Sequence, residues 1–397
     1  MIDAFGFRSI SDASGGEETD GEVNDCCCKN LDWVCMVVWR LRKRAKVGPR
    51  DGSIQCVIKR DNISHFPVFL ASASVLEKST ASGSAFFIFG DSSVDPGNNN
   101  YINTIPENQA NYKPYGHNGF FHRPTGRFSD GRVIVDFIAE YAKLPLIPPF
   151  LEPSADYTNG ANFASGGAGV LPETNQGVVI DLPTQLKNFE VVQKSLIEKL
   201  GEAEAEKVLY KKGGRKFGFL SLSPLGCLPA LRALNPKASE EGGCFEAASE
   251  LALAHNNALK SVLTSLEQIF KGFKFCYSNF YNWLDERINH PSKYGFKEGI
   301  NACCGYGPYG GIFTCGGTKE VKEYELCENA EDYVWWDSFH PTEKIHEQFA
   351  KALWNGEPEP EPFSVGPYNL QRLFFDKEKL TIADIVDDDP QPHHFLL

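Results

Sequence analysis

No apolar run in this chain approaches the roughly 20 residues that cross a bilayer, which argues against a membrane-spanning helix. Positive charge is also short. The 39 Lys and Arg stand against 52 Asp and Glu, leaving a net charge of −13 and an isoelectric point near 5.3. No concentrated basic face follows residue 60, and nucleic acid is therefore not an expected partner, since phosphate binding needs such a face. The beginning has no recognisable signal peptide. A secretory leader opens on basic residues and soon reaches an apolar core of about 7 to 15 residues, whereas residues 1–25 are polar and acidic. Paired CxxC spacings are missing as well, so the cluster Cys303, Cys304, Cys315 and Cys327 fits no zinc scheme. Neither a metal nor another cofactor is expected.

What the chain has in quantity is core material. Its 397 residues are 42% hydrophobic and 12% aromatic, ample for one large α/β domain with tails. The twelve cysteines fall into two groups. Cys26, Cys27, Cys28, Cys35 and Cys56 lie in residues 1–84, which read as an irregular extension outside the fold: an acidic start, a brief apolar stretch, then a basic one, with no sustained period. Phe66 to Val75, behind Lys59 and Arg60, looks like a weak leader displaced from the N-terminus. The other seven cysteines lie between Cys227 and Cys327. Around Cys303 to Cys327 the sequence is Gly-rich and has little core of its own, which is where disulfides help most and which points to an oxidising, secretory compartment. Cys227 and Cys244 form a candidate further bridge, and Cys276, inside a strand-like run, reads as a free buried thiol.

The stretch that organises the rest is Ala85 to Asn100. Its five leading apolar residues, three of them Phe, read as a parallel strand buried on both faces, and Gly90-Asp91-Ser92 ends it abruptly. A serine just past the carboxyl end of such a strand stands where open α/β sheets hold their ligands, a fitting place for a nucleophile. An isolated Gly-Asp-Ser would be a turn without chemistry. Far along the chain, however, comes Asp337-Ser338-Phe339-His340-Pro341-Thr342, whose spacing can bring a carboxylate against an imidazole and fix its tautomer. Asp91, adjacent to Ser92, reads as a turn former, and Asp95 with Asn98 to Asn100 as local loop hydrogen bonding.

Along the chain, strand and helix patterns alternate as stacked βα units. A long loop, 98–126, carries Tyr112, Tyr115, Phe120 and Phe121 and is placed to wall a pocket. Asp130 is read as the cap of a helix bearing Val133, Ile134, Phe137, Ile138 and Tyr141 on one face. Pro183 opens another helix, with Leu186, Phe189, Leu196 and Ile197 as expected core contacts. A second helical pattern, 202–211, follows directly, with no strand between. Then come a strand 216–222, a helix 244–270, a strand 273–277 and a helix from Pro341. His255 reads as a packed core histidine, and His117 and His122 as exposed loop residues. His393-His394 is too short a pair for a metal site. Residues 376–397 form an acidic tail.

These motifs in this order resemble the plant GDSL esterase/lipases, a branch of the SGNH hydrolases, from about residue 85 to 375. The matching runs are Phe89 to Asn100, Asn162 to Gly169, Gly213 to Phe217, Pro224 to Cys227, Tyr294 to Phe296, Ala302 to Gly305 and Asp337 to Thr342. The resemblance implies a three-layer α/β/α sandwich with a mostly parallel sheet of flavodoxin-like type. It also implies hydrolysis of acyl esters or lipids through an acyl-enzyme on Ser92, with His340 as base and Asp337 orienting it, in a secreted protein; apart from the resemblance, a monomer is expected. The backbone N–H groups of Ser92 and Gly166 would serve the oxyanion hole; the substrate-binding residues stay unassigned. One family run is absent: no Gly-x-Asn-Asp occurs between Asp181 and Arg215, so the third oxyanion donor is lost and one central strand is expected to be missing. The alternative expectation is therefore an impaired or inactive relative with a binding or structural role.

Overall fold

The computed structural model describes residues 71–375, apart from 79–80, 118–119, 201–215, 236–242, 271, 313–314, 318–321 and 358–364. The helical pattern at 202–211, the cysteines before residue 60 and the acidic tail lie outside the described residues. Ten strands are numbered here: β1 Ala71–Lys78, β2 Ala81–Ile88, β3 Gly160–Asn162, β4 Lys216–Leu220, β5 Lys274–Ser278, β6 Glu298–Ala302, β7 Cys304–Gly305, β8 Glu325–Leu326, β9 Tyr333–Trp335 and β10 Val365–Pro367. The helices are α1 Ile134–Tyr141, α2 Leu182–Leu200, α3 Pro229–Leu234, α4 Glu246–Ile269, α5 Phe280–Asn289, α6 Glu343–Asn355 and α7 Leu370–Phe375.

Strand periodicity sorts the core onto two sides of one six-stranded sheet of order β10-β5-β4-β1-β2-β3. Phe86 and Ile88 of β2 and Cys276 of β5 face a cluster built from α1, α5, α6 and α7. Their neighbours Ala85 and Phe87 face α2 through Val192 and Leu196, and Phe275 and Tyr277 face α4 through Leu263. Helices on both faces of a sheet make the three-layer α/β/α architecture. The strand leading to Ser92 is buried throughout Ala85 to Phe89, as its unbroken apolar run requires. Cys276 is a free, fully buried thiol, and burial pushes its pKa upward.

Two helix expectations need correcting. On α2, Leu186 and Ile197 are exposed, while Val192 and Leu196, one turn apart, carry the buried stripe. Asp130 does not cap the helix that follows it. Asp136 does so, accepting from the Val133 N–H at 2.9 Å, whereas Asp130 accepts from the N–H of Glu343 at 2.7 Å and thereby caps α6.

Residues 71–78 and 81–84, read from the sequence as the end of an extension, form β1 and the start of β2. β2, β3, β4 and β5 run parallel, and β1 inserts antiparallel between β2 and β4. The neighbours that would have lacked partners are thus paired through residues of the presumed extension. Ser72 sits opposite Phe87 on one side and Phe217 on the other. A proline there removes a ladder donor whichever neighbour it serves, so Ser72→Pro is expected to lower stability in urea unfolding by about 2 to 4 kcal/mol. An unchanged midpoint would return residues 71–78 to the status of an appendage.

Candidate active site

Ser92 follows β2 on a turn held from several directions. Gly90, at φ 148°, leaves the strand and is clamped by Gln185 of α2: its N–H donates to Gln185 Oε1 at 2.9 Å, and Gln185 Nε2 donates back to its carbonyl at 2.9 Å. Asp91 turns away from the chemistry, accepting from the N–H and Oγ of Ser93 at 2.9 and 2.7 Å, the turn-forming part expected of it. Ser92 is half-buried, its side chain free to face a ligand.

The opposite wall is assembled by the cystine-rich region. Disulfides join Cys303 to Cys327 and Cys304 to Cys315, and the N–H groups of Cys303 and Cys304 donate to the carbonyls of Trp335 and Trp336 at 3.0 and 2.7 Å. Asp337 is the next residue, so the stapled loop sets its position directly. A third bridge, Cys227 to Cys244, pins the start of α4. Covalent closure lets this Gly-rich stretch hold its shape with little apolar core of its own.

Asp337, His340 and Ser92 meet. His340 Nε2 lies 2.8 Å from Ser92 Oγ, and Nδ1 lies 2.8 Å from Asp337 Oδ1. Asp337 is fully buried and accepts in addition from the N–H groups of Phe339 and His340 at 2.9 and 2.8 Å and from the Tyr115 hydroxyl at 2.6 Å. Burial works to raise its pKa, but the charge and hydrogen bond of His340, with the donors from Tyr115 and Phe339, hold it down at about 2. Phe128 lies against the imidazole at 4.9 Å between ring centroids and shields it from water.

Gly166 is placed differently from the expectation. Its N–H donates to Asp95 Oδ2 at 2.9 Å. A side chain at Gly166 would meet the Phe128 ring at 2.7 Å, so the glycine makes room for that aromatic. Asp95 also accepts from Gly97 and Asn98 N–H, and burial lifts its pKa to about 6 against the pull of these amides and Arg127. Asn98 and Asn99 reach beyond local loop bonding to the carbonyls of Asn162, Ala164 and Gly166. Among the described residues no protein acceptor takes the Ser92 N–H. His117 and His122 are exposed in the long loop, and His255 is buried in α4.

Sequence reasoning placed Tyr115 only in a pocket wall, without its contact to Asp337, and passed over Gln185. The first had a faint signal, an aromatic in a loop too long to be mere connection. The second had none, because a glutamine in a helix's first turn is ordinarily solvated.

A buried carboxylate, an imidazole and a half-exposed serine in hydrogen-bonded series, at the carboxyl end of a parallel strand, define a serine hydrolase site on an α/β sheet. The chain matches the family described as GDSL-like Lipase/Acylhydrolase over residues 86–201 and 179–353. It is 44% identical to GDSL esterase/lipase 5 of Arabidopsis thaliana over 82% of this chain and 99% of that protein. With the GDSL lipase of Tanacetum cinerariifolium the identity is 40%, over 75% and 89% of the two chains. The protein belongs to the GDSL esterase/lipase family. No described group of His, Cys, Asp and Glu is arranged to hold a metal ion, and no described helix is long and apolar enough to cross a membrane.

Proposed function

We propose that this protein hydrolyses carboxylic esters through a covalent acyl-enzyme on Ser92. The observation that carries the reading is the 2.8 Å approach of His340 Nε2 to Ser92 Oγ across 248 positions of sequence. Ser92 Oγ attacks the ester carbonyl while His340 Nε2 takes its proton, and Asp337 stabilises the imidazolium and fixes the ring. His340 then returns the proton to the leaving alkoxide as the ester C–O bond breaks. Water attacks the acyl-enzyme with His340 again as base, releasing the acid and restoring the Ser92 hydroxyl.

The oxyanion side is lean. With no Gly-x-Asn-Asp run, and with the Gly166 amide engaged by Asp95, the Ser92 N–H is the family donor left to face the developing charge. Each missing donor typically lowers turnover by about 100- to 1,000-fold, which describes a slow hydrolase. The same two absences support the alternative of an impaired relative; the assembled Ser92, His340 and Asp337 weigh against it. An acyl ester or lipid substrate, a monomeric state and a secreted location complete the reading, the last supported by three disulfides.

A fluorophosphonate probe separates the two readings. Ser92 Oγ bonds to phosphorus, fluoride leaves and His340 takes the proton. Stoichiometric labelling at Ser92, mapped by peptide mass, is expected; a folded sample that stays unlabelled would leave the family membership without the activity.

A further inference from the structure

The long loop 98–126 sends one side chain into the triad. Tyr115 is buried, and its hydroxyl lies 2.6 Å from Asp337 Oδ2, on the carboxylate oxygen that the two backbone amides leave uncovered. Asp337 Oδ1 takes the Phe339 and His340 amides and the closer contact from His340 Nδ1, at 2.8 Å, against 3.0 Å from Nδ1 to Oδ2. Without a donor on Oδ2 the carboxylate could turn about its Cβ–Cγ bond and share the imidazole proton between both oxygens. With it, the plane is pinned and the imidazole meets one oxygen best. The ring of Tyr115 is itself held edge-on by Tyr112, Phe128 and Trp336, and Phe128 in turn lies against His340. Burial and the adjacent Asp337 charge raise the phenol pKa well above its usual value, so the hydroxyl stays a donor throughout the working range.

We propose that Tyr115 is a positioning residue for the triad, its hydroxyl fixing the Asp337 carboxylate plane so that His340 Nδ1 is held on one oxygen and Nε2 is aimed at Ser92. The inference rests on the hydrolase reading of the site. It also explains why a loop that supplies no catalytic residue packs its most buried aromatic under the catalytic acid.

Tyr115→Phe removes the hydroxyl and keeps the ring, so the aromatic cluster remains filled. A charge-assisted hydrogen bond lost from a buried carboxylate is expected to lower kcat about 10- to 100-fold with KM little changed. Rates are normalised to sites titrated by the fluorophosphonate, which removes any loss of folded protein. In parallel, the low-field proton resonance of the His340 Nδ1–H, assigned by its absence from His340→Ala, is expected to shift or broaden in Tyr115→Phe. A normalised kcat within twofold of the parent, or a resonance that does not move, overturns the proposal. If the unmodified protein neither labels nor turns over, the hydrolase reading fails instead, and the resonance still reports whether Tyr115 orders the Asp337–His340 pair.

Discussion

Ser92→Ala is expected to lower hydrolysis of a short p-nitrophenyl ester by about 10^6-fold, to the background of the buffer, and Asp337→Asn by about 10^4-fold. The two losses differ in kind. Without the Ser92 hydroxyl nothing forms the acyl-enzyme, and His340 Nε2, 2.8 Å away, has no proton to take. Asparagine at 337 keeps the shape and removes the charge. The Phe339 and His340 amides donate to Oδ1, which obliges an asparagine to place its carbonyl oxygen there and its NH2 toward the Tyr115 hydroxyl. His340 Nδ1–H would still donate to that carbonyl oxygen, 2.8 Å away, but no carboxylate charge would stabilise the imidazolium that forms when Nε2 takes the Ser92 proton. Initial rates over a range of enzyme concentrations check both variants. A Ser92→Ala protein that retains a tenth of parental turnover would remove Ser92 from the mechanism, and an undiminished Asp337→Asn would leave Asp337 a structural acid.

The parts of this molecule legible from its sequence are those whose cause is local. Ala85 to Phe89 announced a doubly buried strand because five consecutive apolar residues cannot all face a core from one side. Asp337 and His340 were legible as a pair because three positions in a turn suffice to bring the side chains together. Cys227 with Cys244, a candidate bridge in the sequence, is a disulfide across 17 positions. Contacts that depend on which distant segments become neighbours gave no such signal. Tyr115 is 222 positions from Asp337, Asp130 caps a helix 213 positions away, and Asp95 captures the Gly166 amide 71 positions on.

β1 shows the same limit at the scale of an element. Residues 71–75 read as the end of a displaced leader, Phe66 to Val75, because small and apolar residues serve a secretory core and a strand equally well. What makes them a strand is their place between β2 and β4, a pairing with segments that lie elsewhere in the chain. Single-sequence periodicity has no way to register that.

Acid is expected to unfold this protein well before its carboxylates are fully protonated, through two buried histidines. Burial lowers the pKa of His255 to about 4 and that of His346 to about 3, the latter helped by the charge of His340 and opposed by Asp136. Between pH 6.5 and these values the unfolded chain binds protons that the folded one refuses, so stability falls as pH falls; each residue contributes about 3 to 5 kcal/mol to the loss once its folded pKa is passed. Asp95 acts in the opposite direction. Its folded pKa of about 6 lies above the usual carboxylate value, so the folded state binds the extra proton between pH 6 and about 4 and recovers about 3 kcal/mol there. Asp337, held at about 2, is neutral in this balance until pH drops below about 4, after which its contribution is lost too. The histidines dominate, and the net loss from pH 7 to pH 4, about 4 kcal/mol, is a large share of a typical domain's 5 to 15 kcal/mol. Urea midpoints measured at half-unit steps check this. His255→Leu, which keeps an apolar body in α4 and removes the titration, is expected to flatten the profile between pH 6.5 and 4 by about 3 kcal/mol; a variant as acid-sensitive as the parent would remove His255 from this account.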